Sequence, residues 1–309
     1  MMALWRGGWI DAELPAPPDT EVPTAVMTVA HEEACYAAMR YAKRHQLPLI
    51  TIFHDWWPDV PEMHQPFRAV LQRSFHQLYQ ESSLALCVSP GMKEALGQHQ
   101  NSKVMLPMPA IAKTREAVAG GASSEPFRVL YAGNLAEYGP MLMEALNVFK
   151  DHPHIRFEVR GAKPMWPAVF TAEMSERGLF LPFAQRDEFD TWLKSADAFL
   201  ITQSFDEEKR RLMKTNFPSK LVEYAQYGKP LILWGPDDSS GPIWARKSGQ
   251  GLVVDQKDPQ CLVLALEQLY GNKVEQERLA HAANKAASSS FNPELIQAEF
   301  MRCLYGLVN

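Results

Sequence analysis

The sequence predicts an α/β fold with two doubly wound domains. Short apolar runs alternate with stretches of helical periodicity, which is the order that places parallel strands between helices. A segment from Ile111 to Pro126 turns to Ala, Gly and Ser and is typical of a linker. Because the chain has 309 residues and is 46% hydrophobic, it can build two cores of ordinary domain size.

The first half begins with a strand, a helix and a second strand, predicted over Thr24–Ala30, His31–His45 and Leu47–Phe53. Further elements follow before the linker, and we predict about four strands in this half. They are a helix from Gln65 to Glu81, a strand from Leu84 to Val88, a helix capped by Ser89, and a strand from Lys103 to Leu106.

The second strand is followed by the sequence HDWWPD at residues 54–59. Loops after the strands of doubly wound sheets gather ligands, so His54 and Asp55 belong to a candidate site. An equally good interpretation is that His54 caps the strand or bonds within its own loop. Trp56 and Trp57 are then core packing, or they line a groove for an acceptor.

The second half opens with a strand over Phe127–Ala132 that ends in Gly133-Asn134. Glycine lets a ligand approach the backbone, so Gly133 and Asn134 form a candidate ligand-binding loop. Another strand, His154–Arg160, ends in Arg160, which is a candidate contact for a base or phosphate. Arginines at strand ends also form surface ion pairs, and that alternative stays open.

The most informative segment, residues 216–234, reads NFPSKLVEYAQYGKPLILW. Pro218 suits a helix start, Gly228 suits a left-handed helix end, and residues 231–234 form an apolar strand. The first turn of a helix has unpaired N–H groups and the positive end of the dipole, so Ser219 and Lys220 form a candidate phosphate clamp. Glu223 lies one turn further on and could accept hydrogen bonds from ribose hydroxyls.

This segment resembles the donor-binding motif of nucleotide-sugar glycosyltransferases with the GT-B fold, in the family 4-like branch that reads Pro-Ser-Lys-Leu-x-Glu-Tyr. The resemblance implies two Rossmann-like domains facing across a cleft. It also implies that His54 and Asp55 are catalytic residues near the reacting sugar and that the loop at Gly133-Asn134 lies beside the diphosphate. We therefore expect an acceptor-side domain over residues 1–112, a linker over 113–126 and a donor-binding domain over 127–309. The last helix is expected to return to the first domain. About four strands are few for a first domain of this family, so we expect it to be truncated.

The chain departs from the family pattern at three positions. Relatives carry cations where this chain has Asn134 and Pro140, and a sugar-facing glutamate where it has Thr215. We expect Lys220 to compensate for the missing cations, helped by Lys214 or its arginine neighbours at positions 210 and 211. A solvated helical face is the alternative interpretation of that basic run.

Composition excludes several other classes. A net charge of −5 and a pI near 6.0 disfavour a polyanion-binding protein. Four cysteines without close spacing favour a reducing cytoplasm, and Cys35, Cys87 and Cys261 have the apolar neighbours of buried thiols. Since no apolar run approaches the length of a membrane span, we expect a cytoplasmic protein, with peripheral association at the inner membrane face left open.

We therefore expect a transferase that moves a sugar from a nucleoside diphosphate sugar to a glycan or lipid-linked acceptor. The resemblance implies retention at the anomeric carbon. No metal-ligand spacing is present, so no metal or other cofactor is expected. One alternative is a nucleotide-sugar-binding subunit without activity, or a truncated transferase that needs a partner. An epimerase on the same plan is a third class, although no acid and base carboxylates suggest it. Base, sugar, acceptor and oligomeric state are not predicted.

Overall fold

We describe the fold from a computed structural model that covers residues 25–59, 65–109, 126–162 and 164–308. Strands and helices alternate through these ranges. The strands are β1 (Val26–Val29), β2 (Leu49–Phe53), β3 (Leu84–Cys87), β4 (Ser102–Val104), β5 (Phe127–Gly133), β6 (Ile155–Gly161), β7 (Phe180–Leu181), β8 (Ala198–Thr202), β9 (Leu231–Trp234) and β10 (Leu252–Val254).

The helices follow the same chain order. They are α1 (Ala34–His45), α2 (Gln65–Glu81), α3 (Pro90–Leu96), α4 (Gly139–Phe149), α5 (Ala168–Glu176), α6 (Arg186–Lys194), α7 (Arg210–Thr215), α8 (Ser219–Ala225), α9 (Ser240–Ser248), α10 (Pro259–Tyr270), α11 (Lys273–Ser288) and α12 (Pro293–Val308), with short 3₁₀ turns at Trp57–Asp59 and Glu207–Lys209. In the described parts of the chain, no helix is long and apolar enough to cross a membrane.

The chain divides into two compact units. The first unit runs up to Pro107 and also includes Arg211–Phe217 and the chain from Glu294 onward. The second unit comprises Met108–Arg210 and Pro218–Pro293. Thus a short segment between β8 and α8 belongs to the first unit, which the sequence analysis did not predict. The predicted strand start at Thr24 and most of the predicted linker lie outside the described residues.

The first unit contains a parallel sheet with the order β1-β2-β3-β4. These are the four strands predicted from the sequence. One face of the sheet packs against α1, α2 and α3 through aromatic residues such as Phe53 and Phe75. The other face presents Ile50, Leu84 and Leu86 to the apolar side of α12. Each face of the sheet is therefore covered by at least one helix, as expected for a parallel sheet.

The second unit contains a six-stranded sheet with the order β10-β9-β8-β5-β6-β7, and all its paired strands are parallel. In chain order this is the Rossmann arrangement, in which the first and fourth strands lie side by side and successive strands extend outward in opposite directions. The winding direction therefore reverses between β5 and β8. Ligands of doubly wound sheets bind outside the carboxyl ends of the strands at such a point.

Several local predictions are confirmed. Gly228 has a φ of +61° after α8, and the Ser89 hydroxyl accepts a hydrogen bond from the Met92 amide at 2.9 Å as an N-cap. Helix α5 was not predicted because its apolar residues do not gather on one face, and Met174 is the residue that it buries. The expected burial of Cys261 is wrong: its thiol is partly exposed, since α10 directs Leu262 and Leu266 into the core instead.

Candidate functional site

The first candidate site lies in the second unit, at the carboxyl ends of β5 and β8. These strands pair through Val129 and Leu130 of β5 and separate beyond them. Gly133 ends β5 in this opening with a φ of +153°, a conformation that L side chains rarely adopt. The reversal point of the sheet therefore coincides with the glycine that the sequence analysis chose.

Gly133 lies directly against the side chain of Lys220. A Cβ atom at position 133 would lie 2.0 Å from Lys220 Cε and 2.7 Å from Nζ, so no larger residue fits while the lysine keeps its place. Gly161 supports this arrangement from β6, because a Cβ there would lie 2.6 Å from the Gly133 carbonyl oxygen. Close packing of backbone and lysine stem thus explains both glycines.

Tyr224 fixes α8 to β5. Its hydroxyl accepts a hydrogen bond from the Ala132 amide at 2.8 Å and donates one to the Ala132 carbonyl at 3.1 Å. The ring stacks on Phe199 of β8 with 4.4 Å between centroids. Helix α8 is therefore attached to both strands at the opening of the sheet. The sequence analysis quoted this tyrosine as part of the motif but assigned it no role.

Lys220 is half-buried on α8. Burial lowers the pKa of its ammonium group, while the carboxylate of Glu223 opposes that shift. Among the residues that the structure describes, no group pairs with this ammonium by hydrogen bond or ion pair. A partly desolvated cation without a partner is stabilised by any anion that reaches it. Ser219 and Glu223, the neighbouring candidates, are both exposed.

Asn134 shapes the loop that follows Gly133. Its Oδ1 accepts hydrogen bonds from the amides of Ala136 and Glu137 at 2.9 and 3.1 Å. Its carbonyl oxygen accepts a third from the Tyr131 hydroxyl at 3.1 Å. The side chain is exposed, but its Oδ1 already accepts two hydrogen bonds from the loop, so Asn134 stabilises the loop beside Gly133.

Arg160 is held by α6. It is 5% exposed, its Nη1 donates to Glu188 Oε1 at 2.9 Å, and its guanidinium lies 5.1 Å from the centre of the Trp192 ring. The ion pair that the sequence analysis left open is therefore present. A contact between Arg160 and a base or phosphate stays a prediction.

Two of the suggested helper cations, Arg210 and Arg211, are paired with carboxylates. Arg210 lies 2.6 Å from Asp238, and this hydrogen bond raises its pKa. Arg211 belongs to the first unit and pairs with Asp59. Lys220 is accordingly the cation that this structure places against Gly133.

The second candidate site lies in the first unit, where β1 and β2 end side by side. Val29 pairs with Ile52 in the parallel register, and the next residues bring His31 beside His54. Their ring centroids are 5.4 Å apart, and His31 also lies 4.3 Å from Trp57. The sequence analysis missed His31. Its position directly after a predicted parallel strand, like that of His54, was the signal that could have found it.

His54 and Asp55 interact directly. His54 Nε2 lies 3.2 Å from Asp55 Oδ2, and the two side chains are 40% and 36% exposed. The hydrogen bond with Asp55 raises the pKa of His54, although burial of the ring works against it. The pair can therefore hold a proton at a partly exposed position, as general acid or base chemistry requires.

The two neighbouring tryptophans differ in burial. Trp56 is buried and packs edge-on against Phe75 at 5.3 Å. Trp57 is half-buried and lies against His31. Packing therefore accounts for Trp56, while Trp57 leaves part of its ring accessible beside the histidines.

Comparison with known proteins gives the fold a wider context. No model of a known protein family matches the chain, and no curated protein matches it. Several solved structures do match the chain. HepE from Anabaena, determined in complex with UDP, aligns over 89% of this chain and 76% of its own, with a TM-score of 0.67 and 17% identity.

Two other solved structures show the same likeness. Sucrose-phosphate synthase from Thermosynechococcus elongatus covers 91% of this chain and 73% of its own (TM-score 0.63, 14% identity). A glycosyltransferase from Rickettsia africae ESF-5 covers 89% and 74% (TM-score 0.60, 13% identity). The chain has the GT-B fold. At these identities the likeness establishes the fold, and activity must be argued from the residues.

Metal-ligating residues do not gather at either candidate site. Within the described ranges, no group of three or more His, Cys, Asp or Glu side chains could hold a metal ion. The expectation of a reaction without a metal stays a prediction.

Proposed function

We propose that the protein transfers a sugar from a nucleoside diphosphate sugar to a glycan or lipid-linked acceptor. The observation that carries this proposal is the half-buried ammonium of Lys220, which has no partner among the described residues and lies on Gly133 where the winding of the sheet reverses. Such an ammonium is suited to a diphosphate, whose negative charge grows as the bond to the sugar breaks.

The other residues take roles that follow from their positions. Ser219 precedes Lys220 and offers a hydroxyl and an amide to the same phosphates. Glu223 is exposed one turn later and would accept hydrogen bonds from ribose hydroxyls. In the first unit, the partly exposed His54–Asp55 pair would serve the sugar or the acceptor hydroxyl. We expect retention at the anomeric carbon and no requirement for a metal ion.

Uridine diphosphate is the first nucleotide to test, since HepE was crystallised with UDP and with UDP-glucose. A ligand that binds the folded state raises the unfolding temperature as its concentration exceeds its dissociation constant. Thermal-shift measurements with the diphosphates of uridine, guanosine, adenosine and thymidine should therefore identify the base. If none of them raises the unfolding temperature, the proposal is wrong.

Lys220→Met tests the residue itself. Loss of a charged hydrogen bond costs about 1.5–3 kcal/mol, so the dissociation constant of the preferred nucleotide should rise at least about tenfold. Lys247→Met, on the exposed part of α9, is the matched control and should leave affinity unchanged. Undiminished affinity of Lys220→Met would remove this lysine from the site.

A binding subunit without transferase activity is the second candidate. It is favoured by Thr215, which stands where the family has a sugar-facing glutamate. This residue is 1% exposed, and its hydroxyl donates to the Arg211 carbonyl at 2.9 Å, so it cannot replace that carboxylate. Release of free sugar from UDP-glucose or another donor by the purified protein would eliminate this candidate.

The thiols support a proposal for the compartment. Cys35 and Cys87 are buried, and the four cysteines form no disulfide. We infer a reducing compartment, in which a transferase would meet cytoplasmic donors and acceptors at the inner membrane face.

A further inference from the structure

The segment Arg211–Phe217 lies in the chain between β8 and α8, yet it packs within the first unit. Three of its side chains are almost fully buried there, namely Met213 at 0%, Thr215 at 1% and Phe217 at 6% exposure. The cations Arg211 and Lys214 are exposed, as expected for a solvated charged face, while the other side of the segment is buried. The segment is an anchored part of the first unit.

The end of α7 is fixed to the start of α3. The Ser89 hydroxyl donates a hydrogen bond to the Thr215 carbonyl oxygen at 2.6 Å. Gly91 lies so close that a Cβ atom would be 2.1 Å from the Lys214 carbonyl oxygen. Backbone of one segment therefore rests directly on backbone of the other, with no room for a methyl group.

The start of the same segment contacts the loop that carries the histidine site. The guanidinium of Arg211 lies 5.5 Å from the centre of the Trp56 ring, within the range of a cation–π contact. Its Nη1 lies 3.4 Å from Asp59 Oδ2. Trp56 and Asp59 flank the last part of the loop that begins with His54 and Asp55.

The segment also ends where the candidate phosphate residues begin. Phe217 belongs to the first unit and is buried, Pro218 follows it directly, and Ser219 and Lys220 open α8. An anchor at Phe217 therefore restricts the backbone that leads into Lys220. Restricting a site before its ligand binds reduces the entropy lost on binding.

We propose that Arg211–Phe217 is a positioning element and that Arg211 is its positioning residue for the His54–Asp59 loop. At its other end, the bond to Ser89 and the contact with Gly91 restrict the backbone that leads into α8. The catalytic consequence rests on the proposed function, whereas the structural consequence does not.

Arg211→Met tests the first half, with Arg302→Met as its control. Arg302 lies on the exposed side of α12 and pairs with Glu299, so its loss should change nothing at the loop. In Arg211→Met we expect the NMR signals of the Trp56 indole N–H and the His54 ring to shift. Turnover should fall at least about tenfold, since misplacing reacting groups by 1 Å can cost more than that. Arg211→Lys, which keeps the charge near Asp59 but not the planar stacking, should recover part of the loss.

Gly91→Ala tests the second half, with Gly306→Ala as its control. A Cβ at Gly306 meets nothing within 4 Å, whereas one at Gly91 displaces the Lys214 carbonyl. We expect Gly91→Ala to weaken UDP binding measurably and Gly306→Ala to leave it unchanged. Ser89→Ala, which removes the bond to Thr215, is a milder second variant and should weaken binding in the same direction.

Two results would overturn the proposal: unchanged Trp56 and His54 signals in Arg211→Met, or unchanged UDP affinity in both folded variants of the α3 start. Failure of the proposed function gives a different pattern. If the parent protein binds no nucleotide, the transferase assignment falls, while the NMR comparison of Arg211→Met with Arg302→Met still decides whether Arg211 positions the loop.

Discussion

Replacing Tyr224 with Phe should destabilise the protein far more than removing a hydroxyl group from the protein surface would. Strands β5 and β8 stop pairing beyond Leu130, so the next part of β5 needs other partners for its backbone. The Tyr224 hydroxyl supplies both, to the amide and to the carbonyl of Ala132. Tyr224→Phe leaves these two buried groups without that partner.

The expected loss follows from the two groups. An unsatisfied buried polar group costs about 1–3 kcal/mol, and the pair together should lower the free energy of unfolding by about 2–6 kcal/mol. Urea unfolding measures this quantity. Tyr227→Phe is the matched control: this ring also lies beside Phe199, but its hydroxyl bonds to the half-buried Asp190. A loss for Tyr224→Phe below about 0.5 kcal/mol, the range of surface substitutions, would refute the reasoning.

Three further predictions concern charge and space. Burial raises the pKa of Glu158, but hydrogen bonds from two arginines and an indole outweigh burial and lower it. The ionised carboxylate therefore stabilises the fold above its pKa in the unfolded chain, and this contribution is lost as the pH falls through its pKa in the folded protein. Glu158→Gln should therefore flatten the acid side of the urea midpoint plotted against pH. Asp55→Asn should lower the pKa of His54 in an NMR titration, and an unchanged pKa would contradict the hydrogen bond seen here. Gly133→Ala should weaken UDP binding at least about tenfold, because its methyl group would lie 2.0 Å from the lysine side chain of α8, and calorimetry on folded protein checks this.

The sequence predicted the strands well because parallel strands with covered faces are nearly continuous apolar runs. Strand β9 is predicted with its observed limits, and its residues are all buried. Gly133 and Gly228 were predictable for a related reason, since a positive φ leaves few alternatives to glycine. These features depend on local chemistry alone.

Contacts between distant segments could not be predicted in the same way. The bond from Ser89 to Thr215 joins residues 126 positions apart, and nothing local in the basic run before α8 indicates that it packs on the first unit. His31 was missed because its proximity to His54 depends on the register of β1 with β2. Cys261 was assigned to the core because an apolar neighbourhood in sequence does not determine which way a helix faces.

The spacing of Lys220 and Tyr224 explains why the motif in α8 has its form. Residues four apart lie on the same face of a helix, so both side chains reach β5 together. Tyr224 bonds to the backbone of Ala132, and this attachment holds the stem of Lys220 against Gly133 in the next position of the strand. If the spacing serves this purpose, freeing the tyrosine must also affect the lysine. Tyr224→Phe should then weaken UDP binding in protein that remains folded, whereas Tyr227→Phe should not.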